Sequence, residues 1–271
     1  MAVTIQPSTM RTTKSSRDDA AETAHQRIKP ASKVGKKLKM CVYGRNKVGK
    51  TVFGCSSPLK TLVIDCNEKG YDSVHDRPNV DIFEVRSWED LDPIYWYLRA
   101  GNHDYEVIII DTITMLASVG MKWVLHDDFE RDMNRDPLTP ARQSYLKLGE
   151  MLKDAIIKFR NLPYHIIFNA QEKTTSSEED DEGNTTTETH PELSPAPRSV
   201  LLSATNLIGR IYIKEVEVRG KKQMQRRMLV GPYPKYVSGG RFPQLKTIEA
   251  NPTLGGFLDK IYGGKDASTS G

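Results

Sequence analysis

Cysteine is scarce in this chain, with three in 271 residues, and long apolar runs are missing altogether. Cys41, Cys55 and Cys66 are odd in number, form no CxxC pair and sit among aliphatic residues. That excludes a disulfide framework or a zinc knuckle and predicts buried free thiols. The longest purely aliphatic stretch, Val107 to Ile110, is far short of the roughly 20 apolar residues of a membrane-spanning helix. No transmembrane segment and no membrane partner are expected. The opening MAVTIQPSTMRTTKSS lacks the apolar centre of a secretory signal, so the expected location is the cytoplasm.

With 38% hydrophobic and 27% charged residues, the composition is that of an ordinary soluble globular protein. Its length suits one large domain or two small ones. Net charge is only +4, yet it is segregated: residues 1–39 carry +6 and the remainder −2. Residues 198–246 hold eleven basic residues against Glu215 and Glu217, whereas Glu172 to Glu192 holds eight acids against Lys173. Two basic segments keep a polyanion in view as a partner.

Residues 1–37 show no helical or alternating apolar period and are expected to be a disordered basic tail. From Leu38 onward apolar strands alternate with helices. Leu38 to Tyr43, TLVID at 61–65, DIFEV at 81–85, EVIIID at 106–111 and Tyr164 to Ala170 read as strands. Helices are expected from Ser87 to Arg99, with Asp90 completing a capping box, from Thr112 to Leu125 and from Pro140 to Arg160. In the last of these, Tyr145, Leu148, Leu152, Ile156 and Phe159 recur at helical spacing. HDDFERDMNRDP reads as an acidic loop, and Tyr95-Trp96-Tyr97 as core packing. The pattern specifies an α/β fold with a mainly parallel central sheet flanked by helices. Residues 171–192 read as an acidic hairpin or loop insertion, Ser199 to Ile208 as a short helix, and Gly209 to Val218 with Gln223 to Val230 as a C-terminal antiparallel hairpin. Residues 263–271 are expected to be a second disordered tail.

The residues that carry chemistry lie between the first strand and the first helix. Gly44-Arg45-Asn46-Lys47-Val48-Gly49-Lys50-Thr51, followed by Val52, satisfies GxxxxGK[ST], the phosphate-binding loop. Its glycines let backbone N–H groups curl around phosphate oxygens, Lys50 reaches the β and γ phosphates, and the Thr51 hydroxyl coordinates magnesium. Asp111, ending EVIIID, is the expected second magnesium residue. ATP and Mg2+ are the expected cofactors. Asp111 is followed by Thr112 and not by Glu, so the general base must come from elsewhere. An acid at the mouth of the second strand suits that task, with Glu68 the candidate and Asp65 the alternative. Gln171, just beyond IIFNA, is a candidate sensor of the γ-phosphate.

Taken together, GRNKVGKT, VIDCNEKG, SWEDLDPIYWYLRAGNHDYEVIIIDTITML and HIIFNAQEK resemble the phage-encoded RecA-like ATPases. More narrowly, they are similar to the phage AAA-type ATPases that act as single-strand annealing recombinases. The resemblance runs over residues 38–262 and implies a RecA-like ATPase domain. It also implies a ring or filament of subunits, binding to single-stranded DNA, and a phage or host single-strand binding protein as partner in the host cytoplasm. The sequence departs from the family in an extra residue within DCNEKG, which leaves the base open between Glu68 and Asp65. It departs again after Gln171, where RecA proteins place a DNA-binding loop and this chain is acidic. Lys221, Lys222, Arg226 and Arg227, flanking the hairpin turn, are therefore the candidate contacts to DNA or to a neighbouring subunit. Lys235 and Arg241 resemble the family's late Lys/Arg motif and are candidates for DNA or for a neighbouring subunit's γ-phosphate. A helicase or terminase accessory nucleotide-binding module is the alternative reading, with a P-loop kinase behind it.

Overall fold

The computed structural model describes residues 14–28, 36–176, 186–218 and 220–263. The chain forms two compact units, Met1–Lys36 and Lys37–Gly271. In the first, Lys14–Arg27 is a helix (α1), where a disordered tail was expected. Its Ala, Glu, Lys and Arg residues favour helix intrinsically, but without an apolar stripe they give no periodic signal. Residues 1–13, 29–35, 177–185, 219 and 264–271 lie outside the described residues, and with them most of the expected basic tail, the tip of the acidic insertion and the expected C-terminal tail.

The second unit contains β1 (Lys39–Gly44), α2 (Lys50–Gly54), β2 (Thr61–Asp65), β3 (Val80–Glu84), α3 (Leu91–Ala100), β4 (Val107–Asp111) and α4 (Ile113–Arg131). It continues with α5 (Arg142–Arg160), β5 (His165–Ser176), β6 (Thr187–Pro191), α6 (Pro195–Ala204), β7 (Leu207–Val218) and β8 (Lys221–Leu229). The last elements are β9 (Gly239–Gly240), β10 (Ile248–Ala250) and α7 (Leu254–Tyr262). The sheet order is β10-β8-β7-β1-β5-β4-β2-β3, with β6 added on β5 and β9 on β7. From β7 to β3 every neighbour is parallel, whereas β8, β10, β6 and β9 pair antiparallel. The expected mixed α/β fold is thus present, with its parallel centre and C-terminal antiparallel hairpin.

Alternation along the strands divides the core between two faces. On β1, Cys41 and Tyr43 join Ile64, Ile108, Ile110 and Phe168 beneath α3, α4, α5 and α6. Met40 and Val42 point the other way, with Val63, Ile109 and Ile167, toward Phe53 of α2 and Leu254 and Phe257 of α7. Helices on both faces explain why all five residues of β4 are buried and why the four before Asp111 are continuously apolar. All three cysteines are free and buried.

Several elements differ from expectation. α4 continues through Arg131, taking in half of the acidic stretch read as loop, because Arg131 pairs with Asp127 at 3.2 Å and Lys147 of α5 reaches Asp127 and Asp128. α6 begins at Pro195 instead of Ser199, since proline suits the first turn of a helix, and the chain is already β-strand at Leu207. Of Tyr95-Trp96-Tyr97 only Tyr95 is core, and Tyr145 is exposed. No helix among the described residues is long and apolar enough to cross a membrane.

Candidate nucleotide site

Parallel strands deliver their last residues to one edge of a sheet, and ligands of open α/β sheets bind at that carboxyl edge. Here the register sets Gly44 beside Gln171, and Asp111 between Asn169 and Asp65. Glycine at 49 is required by its conformation, φ +100 and ψ 35, a left-handed geometry that costs other residues dearly. Lys50 is buried and folds its ammonium over the loop, donating to the carbonyls of Gly44 at 3.1 Å and Arg45 at 3.0 Å. Burial lowers its pKa from the ordinary lysine value, opposed by the charges of Asp111, Glu68 and Glu172. Arg45, Asn46 and Lys47 are exposed, Val48 is buried, and Val52 packs against the α7 side of the core.

Asp111 is 2% exposed. The Thr51 hydroxyl donates to its Oδ2 at 2.5 Å and Asn169 Nδ2 donates to its Oδ1 at 3.1 Å. Desolvation is the largest influence on this carboxyl and raises its pKa despite those donors. A Cβ placed on Gly70 would come within 2.7 Å of Thr51 Oγ1 and 3.2 Å of Asp111 Oδ2, so the glycine leaves that oxygen pair uncovered. A hydroxyl and a carboxylate side by side are the hard oxygen donors that magnesium takes while keeping its waters and the phosphates. The pair therefore fits the ion, and Thr51 and Asp111 are the residues that would hold it. When bound, magnesium neutralises charge on the phosphate oxygens.

The loop after β2 separates the two base candidates. Gln171 Nε2 donates to Glu68 Oε1 at 2.5 Å, and Thr112 Oγ1 donates to the same oxygen at 3.3 Å. Glu68 thus joins β5 and the start of α4, where Thr112 also caps the helix by accepting from Met115 N. Asp65, 2% exposed, turns into its own loop and accepts from Lys69 N at 3.0 Å. Burial first, and the charge of Asp111 second, raise the Asp65 pKa. The same loop borders a cavity of about 570 Å³, lined by Asp65, Lys69, Arg86, Trp88, Lys122 and Trp123.

The six C-terminal cations scatter. Lys221 and Lys222 stand exposed at the turn, with Lys222 paired to Glu215 at 2.9 Å on the surface. Arg226 and Arg227 lie within β8: Arg227 Nε donates to Gln225, whereas Arg226 Nε donates to Val48 O of the phosphate loop at 2.9 Å. Lys235 sits in the Tyr233–Tyr236 loop against Thr189 of β6. Arg241 bonds through its backbone to Asn206 just before β7, and β7 starts beside Met40, at the opposite edge of the sheet from the phosphate loop.

Sequence reasoning missed Asn169, Thr112, Glu172 and Arg210. A lone amide in the apolar run IIFNA was the available signal for Asn169, whose buried Oδ1 has no partner among the described residues. Glu172 accepts from Arg210 at 2.9 Å and from Arg45 at 3.2 Å, a pairing across the fold that no local pattern encodes.

Fold and site together define a phosphate-loop nucleotide-binding ATPase. More particularly, the chain belongs to the AAA domain family, which matches residues 36–242. Among solved structures it is similar to a KaiC-like protein from the hyperthermophilic archaeon Pyrococcus horikoshii OT3, at 11% identity and a TM-score of 0.41, over 79% of this chain and 88% of that one. No curated protein matches it.

Proposed function

We propose that this protein is a magnesium-dependent ATPase that binds single-stranded DNA and promotes annealing or recombination in a phage context, acting as a ring or filament. The observation that carries the ATPase reading is the Glu68 carboxylate held by Gln171 and Thr112 beside Lys50, Thr51 and Asp111. In this reading Lys50 exchanges the Gly44 and Arg45 carbonyls for phosphate oxygens. Glu68 accepts a proton from the attacking water, and Gln171, already bonded to Glu68, reports the γ-phosphate. The exposed Lys221 and Lys222 support the DNA contact, and the sequence resemblance supports the phage setting, the annealing step and a single-strand binding protein as partner.

ATP turnover with and without a mixed-sequence single-stranded oligonucleotide tests the proposal. Stimulated turnover is expected in the wild type and none in Lys50→Ala. Nucleotide binding without any turnover would point instead to a helicase or terminase accessory module, and phosphate transfer to a small acceptor to a kinase.

A further inference from the structure

We infer that Arg226 is a positioning residue of the phosphate loop, through which the β7–β8 hairpin and the bound nucleotide are coupled. Both glycines that define the loop are closed off from behind by this hairpin. A Cβ on Gly44 would lie 2.4 Å from the carbonyl oxygen of Ile211 in β7. One on Gly49 would lie 2.6 Å from the Arg226 guanidinium. Arg226 Nε also donates to Val48 O at 2.9 Å. Arg226 grips a carbonyl of the loop and leaves its N–H groups to the anion, so its action on the phosphates runs through the loop backbone.

Three further observations single out this arginine. Its backbone is fixed on both sides, by pairing with Ile213 of β7 and by the Asn251 N–H donating to its carbonyl at 2.7 Å. Its cation meets no carboxylate among the described residues, whereas Arg45 and Arg210 are both paired with the one carboxylate of Glu172. Arg226 thus adds positive potential where an anion is to bind. Finally, a cleft of about 310 Å³ opens between Arg45–Val48 and Arg210–Ile213, so loop and hairpin are not packed together continuously.

Binding that is favoured when Val48 and Gly49 are held must, by reciprocity, favour the held hairpin when nucleotide is present. The inference rests on nucleotide binding at the loop and is independent of DNA. Its test is titration of a fluorescent ATP analogue with magnesium into the wild type, Arg226→Gln and Arg226→Lys, together with backbone hydrogen exchange. The charged hydrogen bond predicts affinity about tenfold weaker in Arg226→Gln and largely restored in Arg226→Lys, which keeps a cationic donor. Nucleotide is expected to slow exchange in both residues 44–54 and β8 of the wild type, and in 44–54 alone of Arg226→Gln. If Arg226→Gln does not fold, β8 exchange in the wild type and the affinity of Arg226→Lys decide. Unchanged affinity in the variant, or β8 exchange indifferent to nucleotide in the wild type, overturns the positioning role alone. Failure of the wild type to bind the analogue overturns the nucleotide reading and this inference with it.

Discussion

Asp65 and Asp111 are neighbours in register, each 2% exposed, and burial raises the pKa of both. A carboxyl whose pKa is raised by folding subtracts stability once it must ionise. The deficit is absent below the unfolded value of about 3.9, grows as pH rises, and is complete above the raised folded value. Asp111→Asn removes the charge, and the new amide can donate to Asn169 Oδ1, which has no partner among the described residues. The ligand-free variant is therefore expected to melt above the wild type, by a gap that widens as pH is raised through the carboxylate range, while magnesium-dependent turnover collapses. Thermal melts across a pH series check this, and a gap independent of pH would contradict it. Glu68→Gln is expected to keep ATP affinity within a few-fold while hydrolysis falls about 10²–10⁴-fold, the usual contribution of a general base. Single-turnover kinetics read the difference, and equal hydrolysis would move the base to another residue. Lys50, Thr51 and Asp111 were legible in the sequence because a spaced motif and a strand end announce them. How Glu68 and Asp65 sit relative to them was not, because that depends on left-handed conformations at Asn67 (φ 69) and Lys69 (φ 52), which a lysine gives no reason to expect.

At the scale of the element, legibility followed locality. The capping box at Ser87 and Asp90 was readable, and Asp90 Oδ2 accepts from the amides of Arg86 and Ser87 at 2.8 and 2.9 Å. Those contacts open a short 3-10 turn, Trp88–Asp90, and α3 itself starts only at Leu91. Asp90→Ala is expected to cost about 1 kcal/mol, seen as a lower urea midpoint, with nucleotide affinity unchanged. Lost affinity at an unchanged midpoint would show that α3 serves the site. The end of α4, residues 126–131, was hidden because its acids look like loop until their partners on α5 are placed. α1 was hidden for the opposite reason, since a helix polar all round carries intrinsic propensity without a period.

The order of the ten strands is a property of the whole molecule, and no local pattern announces that β5 lies between β1 and β4. Charge placement acts at this scale too. The +4 total hides a hairpin whose tip carries Lys221 and Lys222. If that tip tracks a phosphate backbone, replacing both by alanine should reduce the salt slope of oligonucleotide binding by roughly 1.4, the value for two phosphate contacts on a single strand. Anisotropy titrations at several salt concentrations measure it, and an unchanged slope would remove these lysines from the interface.

β5 is a single strand from His165 to Ser176, yet only its first half belongs to the parallel sheet, and beyond Gln171 it continues as a two-stranded ribbon with β6. Five residues at about 3.4 Å each carry Ser176 roughly 17 Å from Gln171. Thr189, opposite Thr174, is tied at mid-ribbon to the backbones of Lys235 and Val237. Whatever moves Gln171 therefore also pulls on the loop that carries Lys235.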